Sequence, residues 1–154
     1  MDLSIINSIE HIYDNYTNKR INWDEYFLIQ AYNTSFRSPC HRLHVGAVIV
    51  KNNRVIATGY NGFIAGAPHI SIIRDNHEIA TIHAEVNAIC DCASRNGDTI
   101  DATIYITHFP CLNCFKSIAA AGIKTIIYSR NYKNDPFVEK LAKIFNILII
   151  QYLS

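Results

Sequence analysis

The chain has 154 residues, of which 49% are hydrophobic and 18% charged, a composition typical of one globular domain and not of a disordered chain. Its 14 basic and 13 acidic residues give a formal net charge of +1, and no basic run is longer than Lys19-Arg20. Since a long polyanion usually requires a basic stripe, we expect no nucleic-acid partner. The absence of an 18-residue apolar run and of a secretory pattern, with an odd number of cysteines, predicts a cytoplasmic protein without a membrane partner.

Two helices are predicted at the start of the chain. Residues 1–21 form an amphipathic arm that packs on the domain or on a partner subunit, since four apolar residues recur at helical spacing: Ile5, Ile9, Ile12 and Tyr16. The domain itself spans residues 22–154. Asn22, with acidic residues in the turn after it, predicts a capped helix that runs to about Phe36.

A hairpin and a long connection follow this helix. The β-branched runs at residues 44–50 and 54–59, joined by Lys51-Asn52-Asn53, predict two antiparallel strands. Residues 61–80 are rich in turn residues and carry no strand or helix pattern, so we expect a structureless connection that borders a ligand pocket.

Strand and helix patterns alternate in the second half of the chain, which predicts a parallel portion of sheet with right-handed crossovers. The whole is predicted to be an α/β protein, a three-layer α/β/α sandwich with a five-stranded mixed sheet. The segments are strands at 103–107, 125–128 and 147–150, and helices from His83, from Cys111 and from about Pro136 to Phe145.

A zinc-binding pattern is the most specific signal in the sequence. His83-Ala84-Glu85 lies upstream of Pro110-Cys111-Leu112-Asn113-Cys114, the H-x-E…P-C-x-x-C arrangement of hydrolytic zinc deaminases. His83, Cys111 and Cys114 supply three ligands, which leaves one coordination position for water, and Glu85 remains as general acid and base. Because residues two apart on a helix point about 200° apart, His83 and Glu85 can address one ion only from a helix N-terminus. We therefore expect Thr81 as N-cap of one helix and Pro110 at the first position of the next.

Weaker interpretations of the same residues remain open at this point. A C-x-x-C pair alone is as often a structural zinc knuckle or a redox pair, and His83 alone is more often a core or surface histidine. A polynucleotide deaminase, such as a tRNA adenosine or cytidine editor, would share the pattern, and a non-catalytic zinc-stabilised scaffold would keep the ligands without using Glu85.

Longer stretches resemble one family, the deoxycytidylate (dCMP) deaminases, in particular the bacterial late-competence and phage-type members of the cytidine deaminase-like fold. The resemblance covers roughly residues 22–145, in the family's order. It is carried by the segments 37–40 (Arg-Ser-Pro-Cys), 45–50, 59–62 (Gly-Tyr-Asn-Gly), 81–88, 105–114 and 121–124.

The resemblance implies zinc-dependent conversion of dCMP to dUMP. It implies that Asn61 binds the sugar or base and that Arg37 or Ser38 lies near the substrate phosphate; the alternatives are a turn at Asn61 and a solvated helix end at Arg37. Tyr132 is interpreted as covering the sheet and not as facing the pocket. The resemblance further implies a homohexamer with allosteric effectors, dCTP or dTTP, bound with Mg²⁺.

One departure from the family concerns metal content. Several relatives carry a second, structural zinc that uses a His-Cys pair and further cysteines after Gly-Tyr-Asn-Gly. Here His69 is followed by Ile70, and residues 61–82 contain no cysteine. Without soft ligands at this place, we predict a single zinc ion.

Overall fold

A computed structural model describes residues 4–16 and 19–153. Its centre is a mixed sheet of five strands, in the order β2 (54–60), β1 (46–51), β7 (103–108), β8 (125–130) and β9 (148–151). β1 is antiparallel to both β2 and β7, whereas β7, β8 and β9 are parallel. The predicted fold class is confirmed. The strands of this sheet are β1 Gly46–Lys51, β2 Arg54–Tyr60, β7 Thr103–His108, β8 Thr125–Arg130 and β9 Leu148–Gln151.

Helices cover both faces of the sheet because its strands are apolar on both sides. In β1, Val48 and Val50 pack with Phe27 on one face, whereas Ala47 and Ile49 belong to the core on the other face. Helix α2 covers the first face alone, and three helices cover the second. The helices are α1 Ser4–Asn15, α2 Trp23–Ser35, α3 Ala84–Ser94, α4 Leu112–Ala120 and α5 Pro136–Phe145.

Local signals explain the ends of several elements. The Asn22 side chain accepts a hydrogen bond from the Glu25 N–H at 2.8 Å and so caps α2, as predicted. The turn between β1 and β2 places Asn52 and Asn53 at φ 53° and 55°, the left-handed pair that a tight hairpin requires. Helix α1 forms as predicted, but none of its residues is buried. Its packing on a partner therefore stays a prediction.

The connection after β2 was predicted to be structureless, and this is wrong. Two short strands, β3 (Gly62–Phe63) and β6 (Thr81–Ile82), pair with each other and close its base. Between them, residues 64–80 form a flap that contains a hairpin of β4 (Ile73–Arg74) and β5 (His77–Glu78). Strands of only two residues are too short to produce an alternating sequence pattern, so the sequence did not predict them.

Candidate metal centre and active-site cleft

Helix α3 is fastened to the sheet at its first turn. A side chain at Gly59 of β2 would collide with the backbone of this turn, since a Cβ there would lie 2.3 Å from the carbonyl oxygen of Ala84. Asn87 donates a hydrogen bond from Nδ2 to the carbonyl of Tyr60 at 2.9 Å. The N-cap is His83 and not the predicted Thr81, which lies in β6. The N-terminus of α3 is thus set by the end of β2.

Helix α4 begins directly beyond the end of β7. Phe109 continues the parallel pairing by donating its N–H to the carbonyl of Arg130 at 2.8 Å, and Phe109 and Pro110 are buried. Cys111 is the N-cap, in extended conformation, and Cys114 lies in the first turn. Pro110 was predicted as the first helical residue but precedes the cap. The two helix N-termini converge, as expected from the spacing.

Three donor atoms meet where α3 and α4 converge. The Nδ1 atom of His83 lies 3.7 Å from Sγ of Cys111 and 3.3 Å from Sγ of Cys114, and the three atoms lie within 4.8 Å of one another. Zinc–nitrogen bonds of about 2.0 Å and zinc–sulfur bonds of about 2.3 Å, at tetrahedral angles, place such atoms about 3.6 Å apart. The donor set therefore fits a zinc ion in both chemistry and spacing, with one position left open.

The carboxyl group of Glu85 is buried beside these donors, with 4% of the residue exposed. Burial raises the pKa of Glu85, and hydrogen bonds from its own backbone N–H and from Cys114 act in the opposite direction. A carboxyl group with a raised pKa exchanges a proton more readily near neutral pH than an exposed one does. Glu85 thus has the environment of a proton carrier.

The pKa values of Cys111 and Cys114 are suited to binding a cation. A hydrogen bond from Cys114, with a further contribution from His83, lowers the pKa of Cys111 to about 4 and so favours its thiolate form. The neighbouring Cys111 and burial raise the pKa of Cys114. Since the second thiol resists ionisation only while no counter-charge is present, a divalent ion would favour the doubly ionised pair.

A cleft of about 890 Å³ opens onto the donor group, a size typical of small-molecule sites. The loop of residues 39–45, the flap, residues 108–113 and residues 132–133 contribute to its walls. The expectation that the connection after Tyr60 borders a pocket is confirmed. Lining residues between the end of β2 and the end of the flap include Asn61, Phe63, His69, Ser71, Ile73, His77 and Glu78; His83, Glu85 and Cys111 lie in the same cleft.

The three residues predicted to bind substrate differ in their surroundings. Asn61 lines the cleft, but its amide bonds the loop backbone at Leu43 and Val45. Ser38 is buried and donates its hydroxyl to the carbonyl of Asn61 at 2.8 Å. Arg37 is exposed and is not one of the lining residues. The two polar side chains with known partners therefore hold the wall of the cleft, and direct contact with substrate stays a prediction.

Sequence reasoning missed part of the cleft. Tyr132 was interpreted as covering the sheet, whereas it lines the cleft together with Lys133. Arg42 and His108 were not singled out, although both line the cleft as well. The position of His108 at the end of a strand, three residues before Cys111, was the available signal, because side chains at strand ends commonly face a site.

Comparison with known proteins agrees with this geometry. The fold and the donor set define a zinc-binding protein of the deaminase type, and the sequence profile of the cytidine and deoxycytidylate deaminase zinc-binding region matches residues 21–130. The chain belongs to this family, so the resemblance stated from the sequence is confirmed. No helix in the described part of the chain has both the length and the apolar character needed to cross a bilayer.

Individual relatives are similar over most of the chain. ComE operon protein 2 of Bacillus subtilis (strain 168) is 44% identical over 137 residues, which cover 86% of this chain and 72% of the relative. The deoxycytidylate deaminase of Mycobacterium phage D29 is 42% identical over 126 residues, 72% of this chain and 97% of the phage protein. Among solved structures, the dCMP deaminase of cyanophage S-TIM5 in complex with dCMP and dUMP superimposes with a TM-score of 0.78 at 27% identity, covering 88% of this chain and 100% of the phage chain.

Proposed function

We propose that the protein is a zinc-dependent hydrolase that converts dCMP and water to dUMP and ammonia, and so supplies dUMP for thymidylate synthesis. The observation that carries this proposal is the group of one imidazole nitrogen and two sulfurs within 4.8 Å, with a buried carboxyl group beside it at the bottom of a nucleotide-sized cleft. Structural zinc sites usually close with four protein ligands, and this group offers three.

The zinc ligands in this proposal are His83, Cys111 and Cys114. A zinc ion held by these residues would act as a Lewis acid and would lower the pKa of water in the site towards neutrality. Glu85 takes one proton from the attacking water and delivers it to the ring nitrogen next to C4, and then carries the second proton from the new C4 hydroxyl to the leaving amino group. A C–O bond forms and a C–N bond breaks at C4, so ammonia leaves and the ring becomes a uracil.

Ammonia release tests the substrate. Purified zinc-loaded protein should release ammonia from dCMP, and more slowly or not at all from a tRNA anticodon stem. Release from the tRNA stem alone would favour the polynucleotide deaminase. The net charge of +1 supports the free nucleotide, since binding a chain of phosphates usually requires a clear excess of basic residues.

Glu85→Gln separates an enzyme from a scaffold. The variant should keep its zinc, because none of the three donor atoms changes, and should lose turnover by a factor of about 10² to 10⁴. Unchanged turnover in this variant would contradict the role of Glu85 in the mechanism. If the zinc-loaded wild type released no ammonia from any substrate tested, a non-catalytic scaffold would be favoured.

Assembly and regulation form a finer part of the same proposal. We infer a cytoplasmic homohexamer whose activity responds to dCTP and dTTP bound with Mg²⁺, as its similarity to deoxycytidylate deaminases suggests. The unburied apolar face of α1, with Ile5, Ile9 and Ile12 each more than 45% exposed, supports a partner subunit. Light scattering of purified protein gives the subunit number, and dCMP titrations with each effector give the response.

A further inference from the structure

His108 is the last residue of β7 and lines the cleft. Its Nδ1 atom lies 2.9 Å from the hydroxyl oxygen of Thr107. Its ring also packs edge to face against Tyr132, with 6.1 Å between the ring centroids, and this packing restrains rotation of the imidazole. His108 is therefore a fixed polar group on the wall of the cleft.

The hydroxyl of Thr107 determines which nitrogen of His108 carries the proton. Thr107 is fully buried and its Oγ1 accepts the backbone N–H of Gly46 at 3.2 Å. The hydroxyl hydrogen then needs an acceptor, and within the described residues the one within reach is Nδ1 of His108. A buried hydroxyl rarely leaves its hydrogen without a partner, so Nδ1 accepts and the proton of the neutral ring sits on Nε2.

Gly46 ties this arrangement to the core. A side chain at Gly46 would lie 1.9 Å from the carbonyl oxygen of Ala31 in α2, so the strand backbone here is pressed against the helix and its N–H direction is fixed. Thr107 is held by this N–H, and His108 by Thr107. Nε2 is the ring nitrogen left for a ligand, and no hydrogen bond among residues 4–16 and 19–153 uses it.

We propose that His108 is a substrate-binding residue that donates a hydrogen bond from Nε2 to an oxygen of the nucleotide, either the pyrimidine carbonyl or a phosphate oxygen. The inference rests on the proposed function, because it takes the nucleotide as the occupant of the cleft. Burial and the nearby Arg130 lower the pKa of His108, so the donor stays neutral near pH 7 and does not require protonation. Thr107 is a positioning residue in this scheme.

Product binding tests the proposal without relying on turnover. Calorimetry gives dissociation constants for dUMP and deoxyuridine with the wild type, His108→Phe, His108→Gln and the control His44→Phe. Phenylalanine keeps the ring and removes the donor, whereas glutamine places an N–H at a similar distance from the backbone. His44 is exposed and is not one of the residues lining the cleft.

The two oxygens give different results. With a phosphate contact, His108→Phe weakens dUMP binding by about 10- to 100-fold and leaves deoxyuridine unchanged, because the acceptor is charged. With a carbonyl contact, both ligands lose roughly the same factor of 3 to 10. In either case His108→Gln restores most of the loss. Losses no larger than those of His44→Phe for both ligands overturn the proposal, whereas a wild type that binds neither ligand overturns the proposed function as well.

Nitrogen-15 NMR of the histidine rings tests the tautomer directly. The signals that disappear in His108→Phe should show the Nε2–H pattern in the zinc-loaded wild type at pH 7.5. Thr107→Ser should keep the pattern, and Thr107→Val should lose the preference and weaken product binding. An Nδ1–H pattern in the wild type overturns the proposal.

Discussion

The side-chain oxygen of Asn61 accepts a hydrogen bond from the backbone N–H of Val45 at 2.8 Å. The same amide donates to the carbonyl of Leu43, also at 2.8 Å, and the backbone N–H of Asn61 donates to the carbonyl of Val45. One residue after β2 therefore fastens the loop that forms a wall of the cleft. Asn61 combines this structural task with a place on the surface of the site.

Replacement of Asn61 by leucine should loosen this wall. The backbone groups of Leu43 and Val45 lose their partners, so the free energy of unfolding falls by about 1–3 kcal/mol, and KM for dCMP rises more than kcat falls. Asn61→Asp keeps an acceptor for Val45 and should lose less stability. Urea unfolding and steady-state kinetics measure both effects. Asn33→Ala, on an exposed position of α2, is the control and should change stability by less than about 0.5 kcal/mol.

The flap should open when the carboxylate of Glu78 is removed. Its Oε1 accepts from the N–H groups of Ala80 and Ile72 at 2.7 and 3.1 Å, and Ser71 donates its hydroxyl to Oε2. In Glu78→Ala these contacts disappear, so trypsin should cleave after Arg74 roughly tenfold faster than in the wild type. Mass spectrometry of timed digests identifies the cut. The control is Asp98→Asn, because the carboxylate of Asp98 lies outside the flap and accepts a hydrogen bond from the N–H of Ile100. This variant should leave the cleavage rate unchanged.

Removal of the metal should destabilise the protein. Zinc that binds only the folded chain adds about 4 kcal/mol at a concentration 1,000 times its dissociation constant. A chelator should therefore lower the melting temperature of the wild type, and Cys114→Ser should melt low with or without chelator. Elemental analysis should find one zinc per wild-type chain. Cys90→Ser, at an exposed position of α3, should behave as the wild type; full zinc content in Cys114→Ser would contradict the ligand assignment.

His108 should contribute to the pH dependence of stability. Burial and Arg130 lower its pKa in the folded protein, whereas an unfolded histidine titrates at about 6.5. The unfolded chain thus binds the proton more readily. The stability that neutral His108 provides is complete above about pH 6.5 and is lost as the pH falls through the lowered pKa. Thermal melts at pH 7.5 and 5.5 should differ less for His108→Phe than for the wild type; parallel curves would argue against this sign.

Elements with strong local signals could be predicted from the sequence. Helix α5 spans residues 136–145 as expected, because Pro136 suits the first turn and Asp135 caps it by accepting the N–H of Phe137. The hairpin of β1 and β2 was predictable from its asparagine turn. The grouping of His83 with both cysteines followed from the chemistry of the residues, which requires no knowledge of the tertiary fold.

Features that depend on distant residues could not be predicted in this way. The pairing of β3 with β6 joins residues about 20 positions apart and rests on a single pair of dipeptides. The sequence is compatible with a ligand contact and with a loop contact for the amide of Asn61, and the tertiary fold places the amide beside Leu43 and Val45. The donor role proposed for His108 rests on the burial of Thr107, and burial of one hydroxyl is not visible in a motif.

The three donor residues of the candidate metal centre lie before and after the middle strand, β7, in the sequence. His83 precedes β7. The two cysteines follow β7 and lie 28 and 31 positions after His83. An ion bound to all three residues would therefore close a loop of the chain that contains β7. Like a disulfide, this cross-link would lower the conformational entropy of the unfolded chain. Zinc binding is consequently coupled to the placement of β7 between β1 and β8.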